Sequence, residues 1–251
     1  MRRFAELFAA LDRTTSTNEK VAAMGRYFST APASDAVWAV FFLTGRRLKR
    51  LLPWAAIGEW TMHATGLDEW MLQECWWAAG NRAETATLIL DQLPTTPAAD
   101  LPLAAWLERR VLRLRQMDDE TQRREVIAWL GELGRDQRLV LLKILTGELR
   151  LGVSQTLVVR ALAQTANLPT TTIAARLMGE WPTTGEWFAS LMSHETTSTD
   201  RSRPYPFYLA APLQDDPATL GDVREWLVEW KWDGIRAQLV RRPGEVHLWS
   251  R

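Results

Sequence analysis

From about residue 3 to residue 190, apolar side chains recur at the intervals that line one face of an α-helix, with polar positions between them. A clear start is Ser16-Thr17-Asn18-Glu19, where Glu follows Ser at the capping-box spacing; Val21, Met24, Tyr27 and Phe28 then recur at helical intervals. That helix is expected to stop near Pro32. Breaks rich in Gly, Pro and Thr separate further expected helices at about 34–44, 55–64, 67–79, 82–92, 102–116, 120–131, 136–149, 155–166, 170–178 and 184–191. No repeat of fixed period is present, so a compact helical domain is expected and not a solenoid.

Between 192 and 209 the texture changes. Ser193-His194-Glu195-Thr196-Thr197-Ser198-Thr199-Asp200 is polar and helix-poor, and Arg203-Pro204-Tyr205-Pro206-Phe207 is stiff and extended, the composition of a linker. Strand patterning is expected from Leu209 onward. Glu225, Leu227, Glu229 and Lys231 alternate with Trp226, Val228, Trp230 and Trp232, which in a strand delivers Glu229 and Lys231 to one side. Asp233-Gly234 then predicts a tight hairpin, Arg241-Arg242-Pro243-Gly244-Glu245 a second turn, and Val246–Arg251 a third strand that stops in mid-element. The fold class expected is mainly α, a compact all-helical domain followed by the start of an antiparallel β-sheet.

Composition narrows the setting. A 47% hydrophobic content over 251 residues is ample for one large domain or two ordinary ones. Lys+Arg and Asp+Glu balance at 30 each, so any attraction to nucleic acid must come from local patches. The lone Cys75 excludes an intramolecular disulfide and reads as a small buried filler. His63, His194 and His247 lack metal-ligand spacing. No apolar run reaches a membrane span of roughly 18 residues, and Glu6 interrupts the stretch where a signal peptide would be apolar. A reducing, cytoplasmic setting is inferred. The fourteen tryptophans fall mostly on helical or alternating apolar faces and are expected to pack rather than to stack on bases.

Candidate chemistry lies first in cation clusters. Arg46-Arg47-Leu48-Lys49-Arg50 follows Gly45, and Arg109, Arg110, Arg113 and Arg115 crowd one expected helix end. Each cluster can equally be a solvated face, because cations near a helix C-terminus are favoured by the helix dipole. The run Leu142–Ser154 is more informative. A helix is expected to end at Gly152 and hand over to another, whose unpaired first N–H groups make an anion site.

The second candidate is Lys231. Glu229-x-Lys231-x-Asp233-Gly234-x-Arg236-Ala237 resembles the adenylation motif of ATP-dependent DNA ligases, within the covalent nucleotidyltransferase superfamily. Three other stretches share the resemblance. Ser250-Arg251 stands about fifteen residues after Arg236, as the next motif of the family does; Pro206-Phe207-Tyr208-Leu209-Ala210 is similar to the entry into the catalytic domain; Leu145–Val153 is similar to the signature of the helical DNA-binding domain in the larger ligases.

The resemblance implies a helical DNA-binding domain over 1–191, a linker over 192–209, and over 210–251 an incomplete beginning of an adenylyltransferase (ATP-grasp-like) domain. It implies Lys231 as the nucleophile that takes AMP from ATP, with Glu229 recognising adenine and Arg236 and Arg251 holding the ribose and phosphate. Arg46, Arg47 and Arg150 would contact DNA. ATP and Mg2+ are the implied cofactors, nicked duplex DNA the partner, with no membrane and a monomeric state. An attacking amine must be unprotonated, whereas a free lysine, with a pKa of about 10.4, is charged at neutral pH; neighbouring cations and partial desolvation favour the neutral form. Ligases of this type continue into further catalytic motifs and an OB-fold, so this portion alone is expected not to seal nicks. The alternative is a non-catalytic duplex-DNA-binding module with a vestigial nucleotidyltransferase strand.

Overall fold

A computed structural model describes residues 1–92, 100–195, 205, 212–242 and 244–250. Twelve α-helices occupy the described part of the first 195 residues. They are α1 (Arg2–Asp12), α2 (Thr17–Thr30), α3 (Ala33–Leu43), α4 (Trp54–Thr65), α5 (Glu69–Ala79) and α6 (Arg82–Leu90). After these come α7 (Leu103–Arg109), α8 (Asp119–Glu132), α9 (Arg135–Leu145), α10 (Gln155–Ala166), α11 (Thr170–Arg176) and α12 (Gly185–Met192). None of the helices is long and apolar enough to cross a membrane, among the described residues.

Helix starts follow local chemistry. The Ser16 hydroxyl accepts the Glu19 N–H at 3.4 Å, while the Glu19 carboxylate takes the Thr14 hydroxyl and Thr14 in turn accepts the Ser16 N–H, so the expected capping box is relayed through one more residue. Asn81, Asp118, Ser154 and Thr184 cap α6, α8, α10 and α12 with their side chains. One cap comes from far away in sequence. The buried carboxylate of Asp35, on α3, accepts the N–H groups of Leu103 and Ala104 at 3.1 and 2.9 Å, closing the start of α7.

Helix α3 is the hub. Ala36, Val37, Trp38, Ala39, Val40, Phe42 and Leu43 are all buried, so it is apolar around its whole circumference and takes α7 and α12 as neighbours. Phe4 and Leu11 of α1, Met24 of α2, Leu141, Leu142 and Leu145 of α9, and Ala161 and Leu162 of α10 complete one continuous core with it. A second long-range polar contact ties the periphery. Arg138, 1% exposed, donates to the Leu130 carbonyl at 2.6 Å, the Leu90 carbonyl at 3.0 Å and the Asp91 carboxylate at 3.1 Å, joining the ends of α6 and α8 to α9.

Three expectations are corrected. The helix expected over 102–116 ends at Arg109 and tightens into a 3-10 turn over Val111–Gln116. The helix expected to run to 149 ends at Leu145. The strand expected over 225–232 does not form: 3-10 turns cover Pro217–Leu220 and Val223–Glu225, and residues 226–236 run as irregular, mostly exposed chain with no hairpin at Asp233-Gly234. The single described hairpin pairs β1 (Ala237–Arg242) with β2 (Glu245–Ser250), from Ala237 opposite Ser250 to Arg242 opposite Glu245, so the second expected turn is where the chain reverses. Alternation marks two faces but supplies no hydrogen-bonding partner, and a ladder needs one. The Pro206–Ala210 stretch, Arg251 and most of the expected linker lie outside the described residues.

Replacing Asp35 by Ala strips two buried N–H groups of their acceptor, and a loss of about 2 kcal/mol in unfolding free energy is expected by urea denaturation. Asp35→Asn, which keeps one oxygen acceptor, is expected to lose less.

Candidate nucleic-acid and nucleotide sites

The end of α9 is closed by two devices. Gly147 takes a left-handed φ of +72°, and the N–H groups of Gly147 and Glu148 return to the carbonyls of Ile144 and Lys143 at 3.2 and 2.9 Å, a Schellman closure. The remaining terminal carbonyl, Leu145, accepts the N–H groups of Leu51 and Leu52 at 3.0 and 3.2 Å. The segment after α3 thereby lies against the segment after α9. A Cβ on Gly147 would sit 3.7 Å from the Leu48 carbonyl oxygen and 3.8 Å from the backbone of Arg50, and Trp54 donates its indole N–H to the Glu148 carboxylate at 2.7 Å.

This contact brings the two basic stretches singled out in the sequence onto adjoining loops, 44–52 and 146–153. Their cations are not equivalent. Arg47, Lys49, Arg50 and Arg150 are exposed. Arg46 is half-buried: its guanidinium donates to the Gly179 carbonyl and lies 4.1 Å over the ring of Trp181, which stacks on Trp187 at 4.1 Å. Burial lowers the pKa of Arg46 from its ordinary value, opposed by the charge of Glu180. Arg46 therefore ties α3's exit to the segment after α11, and its donors face the protein more than solvent. On the same segment, the ring of Trp249 from β2 reaches within 3.4 Å of where a Cβ on Gly179 would lie.

The direct handover of helices expected at Gly152 is instead a loop over 146–154 between α9 and α10. Lys20 donates to the Gly152 carbonyl at 2.7 Å, and Ser154 caps α10 through the Leu157 N–H. The first-turn residues Gln155 and Thr156 are exposed, and Arg160 on the same helix donates to Asn18 at 2.6 Å. Lys20 and Arg160 were not visible as members of this end of the bundle, because their partners are 132 and 142 residues away in sequence. In the Arg109–Arg115 cluster, Arg109, Arg113 and Arg115 are exposed and Arg110 is half-buried. Arg110 pairs with Glu132 at 2.6 Å and covers the ring of Trp106, and Arg115 donates to the Lys49 carbonyl at 3.4 Å.

The nucleotide candidates are not gathered. Glu229 and Lys231 are exposed and Arg236 is half-buried, and among the described residues none of the three makes a hydrogen bond or ion pair. Arg251 lies outside the described residues. No group of three or more His, Cys, Asp or Glu side chains that could hold a metal ion occurs among the described residues.

Four exposed cations, Arg47, Lys49, Arg50 and Arg150, thus lie on two touching loops of the helical bundle. Residues 1–163 match the family described as DNA ligase N terminus, and the chain belongs to that family. A "Probable DNA ligase" of Koribacter versatilis (strain Ellin345) is 24% identical over 267 residues, covering 100% of this chain and 45% of the relative. Another, of Anaeromyxobacter dehalogenans (strain 2CP-1 / ATCC BAA-258), is 34% identical over 137 residues, covering 52% of the chain and 26% of the relative. A third, of Opitutus terrae (strain DSM 11246 / JCM 15787 / PB90-1), is 25% identical over 335 residues, covering 99% of the chain and 32% of the relative. The chain spans less than half the length of these relatives.

Gly147→Ala places a side chain at φ +72° with no severe clash, so backbone strain alone is expected to cost about 1–2 kcal/mol. Comparing urea midpoints of the two proteins measures it, and an unchanged midpoint would show that the turn is not held at that φ.

Proposed function

We propose that the chain is the DNA-binding and nucleophile-bearing portion of an ATP-dependent DNA ligase that seals nicks in duplex DNA. The observation that carries this reading is the sequence Glu229-x-Lys231-x-Asp233-Gly234-x-Arg236, placed after a domain of the DNA ligase N terminus family. The Lys231 amine attacks the α-phosphorus of ATP; a P–N bond forms, the bond to pyrophosphate breaks, and the amine proton passes to solvent. The AMP then moves to the 5′-phosphate at the nick, freeing Lys231, and the 3′-hydroxyl displaces AMP to form the phosphodiester. Glu229 recognises the adenine, and Arg236 and Arg251 neutralise phosphate charge that grows in the transition state.

The exposure of Glu229 and Lys231 fits a site that is assembled with further parts of the protein. ATP and Mg2+ act in the complete enzyme, which works as a cytoplasmic monomer. The 251-residue chain alone is expected to bind nicked DNA without sealing it.

In the complete protein, Lys231→Ala should abolish labelling by α-labelled ATP and leave nicked-DNA affinity within about twofold. Retained label on the variant would remove Lys231 as nucleophile. The DNA-binding role rests on the exposed Arg47 and Arg150, with Arg46 contributing mainly through its packing. Each of Arg47→Ala and Arg150→Ala is expected to weaken duplex binding and to reduce the slope of log K against log salt by about 1. A slope unchanged in both variants would move the DNA surface elsewhere. The second reading, a DNA-binding module with a vestigial strand, draws on the irregular course of 226–236; it predicts normal DNA affinity and no lysyl-AMP in the complete protein.

A further inference from the structure

Helix α12 ends at Met192, and the last carbonyls of a helix have no partner within it. Those of α12 are collected by one side chain. Arg176, the last residue of α11, donates from one terminal nitrogen to the carbonyls of Ser190 at 3.3 Å, Leu191 at 2.8 Å and Ser193 at 2.6 Å, and from the other to Glu195 at 3.0 Å. A planar guanidinium can direct its fixed fork of donors at several carbonyls at once, which an ammonium cannot do with the same geometry. Three of the four acceptors lie within or just beyond the last turn of α12; the fourth, Glu195, lies beyond the helix, and the Ser193 hydroxyl also accepts the Glu195 N–H at 3.0 Å. The chain is thus held to the bundle three residues past the end of its last helix.

A comparable anchor stands on the other side. Tyr205 and Gln238 exchange two hydrogen bonds, the Tyr205 N–H to the Gln238 side-chain oxygen at 2.9 Å and the Gln238 amide to the Tyr205 carbonyl at 2.6 Å. Gln238 belongs to β1, and Arg242 of the same strand lies 5.9 Å from the Tyr205 ring. Tyr205, expected from composition to be linker, is bonded to the hairpin, and Glu195, expected to be linker, is bonded to the bundle.

We infer that Arg176 is a positioning residue that fixes the point, at Glu195, at which the chain leaves the helical bundle. This deepens the ligase reading, in which a nick gripped by one part is acted on by the other, and its consequence for sealing rests on that reading. The clasp itself does not. Losing Arg176 frees residues 193–195 from the end of α12 and so lengthens the connection by a few residues. A longer connection lowers the effective concentration of one part at the other roughly as the −3/2 power of its length, a fall of about twofold for this change.

The test uses the complete protein and a glutamate-specific protease. Cleavage after Glu195 requires its carbonyl to leave Arg176, so the rate of cleavage there, taken as the ratio of variant to parent, reports the clasp. Arg176→Ala is expected to raise the rate of cleavage after Glu195 by about tenfold or more over the parent, and Arg176→Lys to give an intermediate value, since it restores one cation without the fork. Should Arg176→Ala lose helix content by circular dichroism, Arg176→Lys carries the comparison. A rate within about twofold of the parent in the folded variants overturns the clasp. In steady-state sealing, the same variants should raise the KM for nicked DNA about twofold and leave the rate of lysyl-AMP formation unchanged. A raised cleavage ratio with unchanged KM sustains the clasp and overturns its positioning role; a raised ratio in a protein that forms no lysyl-AMP overturns the ligase reading and sustains the clasp.

Discussion

The contact on which the candidate DNA surface depends is the double acceptance by the Leu145 carbonyl of the Leu51 and Leu52 N–H groups. It does two jobs with one oxygen. It closes α9, whose other terminal carbonyls are taken by Thr146, Gly147 and Glu148, and it fixes the segment after α3 against the turn after α9. Buried backbone groups must be paired, so neither segment can move away without leaving acceptors or donors without partners. The exposed cations Arg47, Lys49 and Arg50 on one loop and Arg150 on the other are held on touching supports for this reason. Their arrangement follows from closing a helix, and the charge sits on a frame that the core already requires.

Long-range polar contacts of this kind recur where helices end. Asp35 closes the start of α7, Arg138 the ends of α6 and α8, and Arg176 the end of α12. In each case a charged side chain is drawn out of water and compensated by backbone dipoles that would otherwise be unpaired, and such charge-assisted bonds are the stronger kind. Arg46 follows the same rule at the Gly179 carbonyl. A basic residue in this bundle is therefore as apt to stabilise a helix end as to meet a phosphate, and exposure is what separates Arg47 and Arg150 from Arg46 and Arg138.

That rule also explains what the sequence made legible. The helices were readable because their starts are local: Ser16, Asn81, Asp118, Ser154 and Thr184 bond to N–H groups two or three residues on, and apolar spacing repeats within each element. The end of α9 was less readable, because Leu145 is closed by residues distant in sequence and by a glycine turn. The roles of Lys20, Arg138, Arg160 and Arg176 carried no local signal at all. The tryptophans divide similarly: Trp38, Trp54, Trp106 and Trp129 pack in the core as expected, while Trp226, Trp230 and Trp232 stand exposed on a segment whose alternation found no partner strand.

The strand reading of 225–232 failed for a reason that bears on function. Six of its residues and neighbours, Trp226, Leu227, Val228, Trp230, Trp232 and Ile235, are large, apolar and more than half exposed, a state that is costly for a finished surface. A strand buries one face and satisfies its ladder only when other strands supply both, and two paired strands are marginal by themselves. The helical bundle, by contrast, buries most of α3 and pairs the terminal carbonyls of α9. Glu229 and Lys231 therefore lie on irregular, exposed chain, and the exposed cations Arg47, Lys49, Arg50 and Arg150 on loops held by the core. In the proposed ligase that division lets the grip on DNA be preorganised while the nucleotide site takes shape around its lysine when substrate is bound.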